Sequence, residues 1–196
     1  MPVQKRCRIV VTGGPGGGKT TAADLFRREL GERIVVVPEA ATLLFAGGFP
    51  RCKEADAERF AQAAIHHVQK NLEDVQSARY PGRVLLCDRG TLDGAAYWPG
   101  APDDYFRHMG TTFDAELARY DAVVFFETAA AGDISIEGGN PVRNESQEEA
   151  RALDRTLREL WSRHPRFTLV PHSASFLAKL TFGLAAIRAV VDGHFR

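Results

Sequence analysis

With 196 residues, 44% of them hydrophobic and 26% charged, the chain suits one soluble domain and not a disordered or fibrous segment. Lysine plus arginine equals aspartate plus glutamate, 25 of each, so no global field favours a nucleic acid or an anionic membrane as partner. Three cysteines, an odd number with no CxxC, argue against both a disulfide framework and a cysteine metal site, and fit reduced thiols in a cytoplasmic protein.

The N-terminus, MPVQKRCRIVV, lacks the apolar core of a signal peptide and runs straight into the first expected strand, RIVVTG from Arg8. The stretch Gly13-Gly14-Pro15-Gly16-Gly17-Gly18-Lys19-Thr20 follows at once and satisfies G-x-x-x-x-G-K-[ST]. Glycines there let backbone N–H groups turn inward around a phosphate without colliding side chains. The helix expected from Thr20 to Leu30 adds the partial positive charge of its N-terminus. Lys19 would reach the β- and γ-phosphates, the Thr20 hydroxyl would ligate Mg²⁺, and Thr21 completes the expected nucleotide contacts. Read as G-x-P-G-x-G-K-T, the loop resembles those of small-molecule and nucleotide kinases.

A second strand, RIVVVPE from Arg33, places Glu39 just past its end. Here the chain resembles the deoxynucleoside and nucleoside kinases, in which an acid at this point takes the proton of the acceptor hydroxyl. Glu39 is expected to be that base or a substrate ligand; a helix cap or a structural ion pair is the alternative. A long helix is expected over 54–79, with Phe60, Ala64, Val68, Leu72 and Val75 as its apolar stripe. The adjacent His66 and His67 on it have no second ligand at metal spacing and read as ordinary surface or core histidines.

The third strand, RVLLCDR from Arg83, ends in Asp88 and Arg89. An acid capping an apolar strand is the position that orients Mg²⁺, and Arg89 would face the transferring phosphoryl group or the acceptor. Asp93 either positions the acceptor or opens a helix. Residues 90–112 read as an irregular aromatic and Pro/Gly-rich segment, in which Tyr97 and Trp98 pack beside the cleft or stack on an acceptor base.

The fourth strand, AVVFFET from Ala122, leads into a lid-like loop over about 129–144 whose tip carries Arg143. A lid arginine would close over the phosphates and stabilise developing charge. Capping-box spacings start the next helix near residue 145, with Leu153, Leu157, Leu160 and Trp161 on one face and Pro165 ending it. On it, Asp154 lies at pairing distance from Arg151 and Arg158 and reads as part of a solvated charged face. The fifth strand, RFTLVPH from Arg166, precedes a loop in which His172 and Ser173 are expected to line the base. The final helix, 175–191, carries Lys179 and Arg188 and is too short and too charged to span a bilayer.

Five near-continuous apolar strands separated by helices mean βαβ units, an open parallel sheet and a single domain over 1–196. Taken together, GGPGGGKT, VVVPEAA, CDRGTLDGAAY, NPVRNES and the SFLAKL helix resemble the AAA-domain ATPase/kinase group related to the nicotinamide riboside kinase domain, which includes the translocation-defect proteins of transient-receptor-potential-like channels. The resemblance implies a three-layer α/β/α P-loop fold with strand order 2-3-1-4-5. It also implies ATP or GTP with Mg²⁺, and phosphoryl transfer or hydrolysis. On this chain it marks the phosphate loop, Glu39, Asp88 with Arg89, and Arg143.

The leading expectation is therefore a kinase acting on a hydroxyl of a small nucleoside-like acceptor, without nucleic-acid binding or membrane insertion; a homodimer is left open. The rival is an NTP-dependent switch that recruits a protein or lipid. The D-x-x-G and N-K-x-D motifs of small GTPases are absent, since Asp88 is followed by Arg-Gly-Thr.

Overall fold

The computed structural model describes residues 6–132 and 147–196. Five strands, β1 (Arg8–Thr12), β2 (Ile34–Val37), β3 (Val84–Asp88), β4 (Ala122–Phe126) and β5 (Phe167–Val170), form one sheet in the order β2-β3-β1-β4-β5. All four pairings are parallel, with Val10 opposite both Cys87 and Val123. Seven helices accompany them among the described residues: α1 (Lys19–Leu30), α2 (Ala40–Ala46), α3 (Ala55–Arg79), α4 (Pro102–His108), α5 (Phe113–Leu117), α6 (Gln147–Trp161) and α7 (Phe176–His194). The strand runs and the order expected from the sequence are the ones observed.

The strands are apolar throughout because both faces are covered, and successive side chains alternate between two cores. Ile9 and Val11 of β1 point into one, packed with Phe26 of α1, Phe126, and Ile187 and Val191 of α7. Val10 points into the other, with Leu85, Val123, Phe125, and Leu157 and Trp161 of α6. α7 lies so close to β4 that a methyl group on Gly183 would strike the Phe126 ring.

Two expectations need correction. Residues 90–112 are not irregular: a 3₁₀ helix spans Thr91–Ala96 and α4 follows, started by a proline at its first turn. And α3 does not bury the stripe read from its apolar repeat. Phe60 is 68% exposed and Val75 50%, while Ala61, His66, Gln69, Glu73 and Ser77 are buried. The helix turns a polar face inward, toward the site described next. No helix among the described residues is long and apolar enough to cross a membrane.

Candidate active site

Three strand ends build the site at the carboxyl edge of the sheet, where open α/β sheets bind ligands. The phosphate loop leaves β1 at Gly13, whose φ of 130° a side chain would rarely adopt and where a Cβ would collide with the Phe126 carbonyl. Gly18 takes a left-handed conformation, φ 82°, immediately before α1 begins at Lys19. The loop thus hands its backbone to the N-terminus of α1. Lys19 is buried and its Nζ donates to the Gly14 carbonyl at 2.7 Å, which holds the ammonium over the loop.

A residue not singled out as functional in the sequence fixes the loop from outside. Asp154 faces inward from α6, and its Oδ1 accepts from Gly14 N at 2.8 Å and Thr128 N at 3.0 Å. The Thr128 hydroxyl donates to the Pro15 carbonyl at 2.5 Å. Asp154 therefore belongs to the site and not to a solvated face. Burial pushes its carboxyl above the ordinary range, against the pull of the two backbone hydrogen bonds. Only its position on the buried side of α6, between Ala150 and Leu157, hinted at this in the sequence.

At the end of β3, Thr20 Oγ1 donates to Asp88 Oδ2 at 2.9 Å. The other oxygen, Oδ1, is buried without a hydrogen-bond partner among the described residues. Burial first, then the neighbouring Glu39 carboxylate, raise the Asp88 pKa; Lys19, the Thr20 hydroxyl and Arg89 act the other way without cancelling the rise. A hydroxyl and an orphaned carboxylate oxygen beside the phosphate loop are the donor set a hard, oxygen-seeking cation such as Mg²⁺ requires. Among the described residues there is no cluster of three or more His, Cys, Asp or Glu that would hold a metal by protein ligands alone.

Arg89 comes next and adopts a positive φ of 73°, the one non-glycine among the described residues to do so. Such a backbone costs on the order of 1–3 kcal/mol and persists only when its surroundings over-determine it. Here they do. Nε donates to Glu39 Oε1 at 2.8 Å, and a terminal nitrogen donates to the Gly13 carbonyl at 3.2 Å and to Asp93 Oδ2 at 3.0 Å. Asp93 is itself held by the Thr12 hydroxyl at 2.9 Å and by Trp161 Nε1 at 2.6 Å. Its bonds are spent on Arg89 and the core, so it positions the arginine and does not start a helix for its own sake.

Glu39 sits at the N-terminus of α2, and its Oε2 accepts from Thr42 Oγ1 at 2.5 Å. It caps no backbone N–H with its side chain, and the ion pair with Arg89 joins it to the phosphate loop. Glu39 and Arg89 wall one end of a cavity of about 250 Å³ between α2, α3 and the Thr91–Ala96 turn, and Pro15 of the phosphate loop also lines it. Tyr97 lines this cavity, whereas Trp98 is buried against Tyr105 and His108.

His172 and Ser173, expected to line the nucleotide's purine base, lie outside this cavity. His172 N donates to Glu127 Oε2 at 2.8 Å, and Ser173 Oγ accepts from Ser175 N at 3.2 Å. Their loop leads to Phe176, whose ring would lie 2.5 Å from a Cβ on Gly18, so it stands beside the phosphate loop on the face away from Glu39. Buried Lys179 anchors the same region by donating to the Glu127 carbonyl at 2.5 Å; burial lowers its pKa to about 8. The first residues of the expected lid-like loop, Ala129–Gly132, form a 3₁₀ turn, and Arg143 with the rest of that loop falls in 133–146, outside the described residues.

A family model described as an AAA domain matches residues 8–176, from the first strand to the start of α7. The chain belongs to that AAA domain family. Solved structures share its fold. One is a deoxyadenosine kinase from M. mycoides with bound dATP, 16% identical, TM-score 0.64, with 93% of this chain and 100% of that chain covered. Another is a shikimate kinase from Acinetobacter baumannii in complex with shikimate, 12% identical, TM-score 0.55, with 98% and 97% covered. No curated protein matches this chain by sequence.

Proposed function

We propose that this AAA domain transfers the γ-phosphoryl group of ATP or GTP to a hydroxyl of a small nucleoside-like acceptor bound in the cavity beside Glu39. The observation that carries the reading is the cavity itself. It opens next to the phosphate loop and is walled by a carboxylate and a guanidinium at that end. A switch that only binds and hydrolyses a nucleotide needs no second small-molecule pocket there.

In this reading the phosphate loop and Lys19 hold the polyphosphate, and positioning with charge stabilisation supplies most of the catalysis. Thr20 and Asp88 Oδ1 would hold Mg²⁺, which neutralises phosphate charge when bound. Glu39 accepts the acceptor's hydroxyl proton as the oxygen attacks. Arg89, fixed by Glu39 and Asp93, keeps a positive charge facing the transferring group and orients the base. Arg143 is proposed as the lid arginine. The nucleoside-like acceptor follows the resemblance of the sequence to the nucleoside kinases and to the nicotinamide riboside kinase domain, which adds nicotinamide riboside to the candidates; the fold alone does not choose among alcohols, since a deoxyadenosine kinase and a shikimate kinase both share it. None of Cys7, Cys52 and Cys87 forms a disulfide, which fits a cytoplasmic setting.

The test is label transfer. The protein is incubated with γ-labelled ATP or GTP, Mg²⁺ and a panel of nucleosides that includes nicotinamide riboside. Label appearing on an acceptor supports the kinase; hydrolysis indifferent to every acceptor supports the switch. With Glu39→Gln, transfer should fall by more than about tenfold, as loss of a general base requires. Unchanged transfer removes Glu39 from that role.

A further inference from the structure

The acceptor cavity has a polar feature that phosphoryl transfer does not use. One face of α3 runs along it, through Ala61, Gln62, Ile65, His66 and Gln69. Gln69 stands at the Glu39 end, but its amide is committed: Oε1 accepts from Ala40 N at 3.4 Å, and Nε2 donates to the Arg89 carbonyl at 3.3 Å. His66 lies one turn back along the helix, about 4.5 Å farther from that end. Its ring is buried in the cavity wall.

Bond counting fixes its protonation. The Tyr105 hydroxyl donates its one proton to the Thr91 carbonyl at 2.5 Å. Burial, with the Glu116 and Asp93 carboxylates, keeps that phenol protonated by raising its pKa. The Tyr105 oxygen can then only accept from its second neighbour, His66 Nδ1 at 2.9 Å. Nδ1 therefore carries the imidazole proton. Burial lowers the His66 pKa to about 4, with His67, Lys70 and Arg119 acting in the same sense and Glu116 against, so the ring is neutral at physiological pH. In a neutral ring with Nδ1 protonated, Nε2 is a bare acceptor. It has no hydrogen-bond partner among the described residues, and the ring that carries it lines the cavity.

We propose that His66 Nε2 is a specificity determinant of the acceptor site: it accepts a hydrogen bond from the exocyclic amine of the acceptor's heterocycle, so amine-bearing nucleosides are preferred over their carbonyl counterparts. The proposal rests on the nucleoside-acceptor reading above. A carbonyl oxygen facing the same lone pair meets no donor, and both acceptors stay desolvated and unpaired. Such a mismatch in a buried site discriminates by about tenfold or more in kcat/KM. Tyr105 is the positioning residue, acting only through the imidazole. Gly94 admits it, since a Cβ there would lie 2.6 Å from the Tyr105 hydroxyl.

The test uses two matched pairs as acceptors with Mg·ATP: adenosine against inosine, and cytidine against uridine. Each pair exchanges an exocyclic amine for a carbonyl. The amine member should lead by about tenfold or more in kcat/KM. His66→Gln presents both a carbonyl and an amide N–H, so it should raise the rates with inosine and uridine and bring both ratios toward one. Tyr105→Phe frees the tautomer and should shrink the ratios in a protein that still melts cooperatively. Independently of any variant, the imidazole ¹⁵N spectrum of the wild-type protein should show His66 protonated at Nδ1 and bare at Nε2 at neutral pH. Equal rates within both pairs, or the opposite tautomer, overturn the assignment and leave the kinase reading standing. Absence of binding and transfer with every nucleoside overturns the acceptor reading, and the assignment falls with it.

Discussion

Asp88 spends one oxygen on the Thr20 hydroxyl and keeps the other buried and unpaired among the described residues, a poor arrangement for a folded protein and a good one for a metal site. Its carboxyl is raised above the ordinary range, mainly by burial and secondly by Glu39. Between the unfolded and the raised folded pKa the native state binds more protons than the unfolded chain. Stability due to this group therefore falls as pH rises through that window and stays lower above it. Asp88→Asn keeps the shape and removes the charge. Without metal or nucleotide, the variant should melt at a higher temperature than the wild type near neutral pH, and the gap should close as pH falls through the window. With Mg·ATP the order should reverse, because the wild type gains a ligand that the amide no longer holds. Thermal melts across pH, with and without Mg·ATP, check both halves. A variant less stable than wild type at neutral pH without ligand would refute the account.

At the scale of elements, α6 is a clamp. Asp154 joins Gly14 of the phosphate loop to Thr128 past the end of β4, and a Cβ on Gly14 would lie 2.6 Å from the carboxylate that holds it. Asp154→Ala strips the acceptor from two buried N–H groups, at about 1–3 kcal/mol for each left unpaired. The expected outcome is a lower melting temperature together with a raised KM for nucleotide and a smaller change in kcat. Asp154→Asn, which keeps a carbonyl oxygen in place, should be milder in both. Nucleotide affinity unchanged in Asp154→Ala would show that the loop holds its shape without the clamp. This contact was hidden from the sequence because Asp154 stands three residues after Arg151 and four before Arg158, the spacing of a surface ion pair. Which way α6 faces is decided by packing against distant strands. The stripe on α3 misled for a related reason: the helix turns His66, Gln69 and Glu73 inward, so of its apolar repeat Leu72 packs against the core while Phe60 and Val75 face solvent. α2, α4 and α5 span only five to seven residues, too few for a period to register. The strands and the phosphate loop were legible because each is contiguous: a β-branched run buried on both faces, and a backbone cradle that only glycines permit.

At the scale of the molecule, the phosphate loop and the acceptor cavity meet through one ion-paired set, Glu39, Arg89 and Asp93, with Arg89 also bonded to the Gly13 carbonyl. Anything that binds the native state alone stabilises it by mass action, by about 2.7 kcal/mol at a hundred times Kd. For a domain of this size that is a rise of about 5–10 °C in Tm. A non-hydrolysable ATP or GTP analogue with Mg²⁺ should produce such a shift, and Lys19→Ala should lose most of it, because the ammonium over the loop is gone. A nucleoside acceptor alone should produce a smaller shift that survives Lys19→Ala, since Lys19 does not line the cavity. Because Arg89 touches both compartments, the two ligands should also be coupled, and linkage requires the coupling to be reciprocal: the factor by which the analogue tightens acceptor binding equals the factor by which the acceptor tightens the analogue. Calorimetric titrations in both orders measure it. Arg89→Lys keeps the charge but not the fork that reaches Glu39, Asp93 and Gly13 together, so the coupling factor should fall toward one while each ligand still binds. Strictly additive binding in the wild-type protein would mean that the ion-paired set is scaffold only, and that the acceptor does not sense the nucleotide across it.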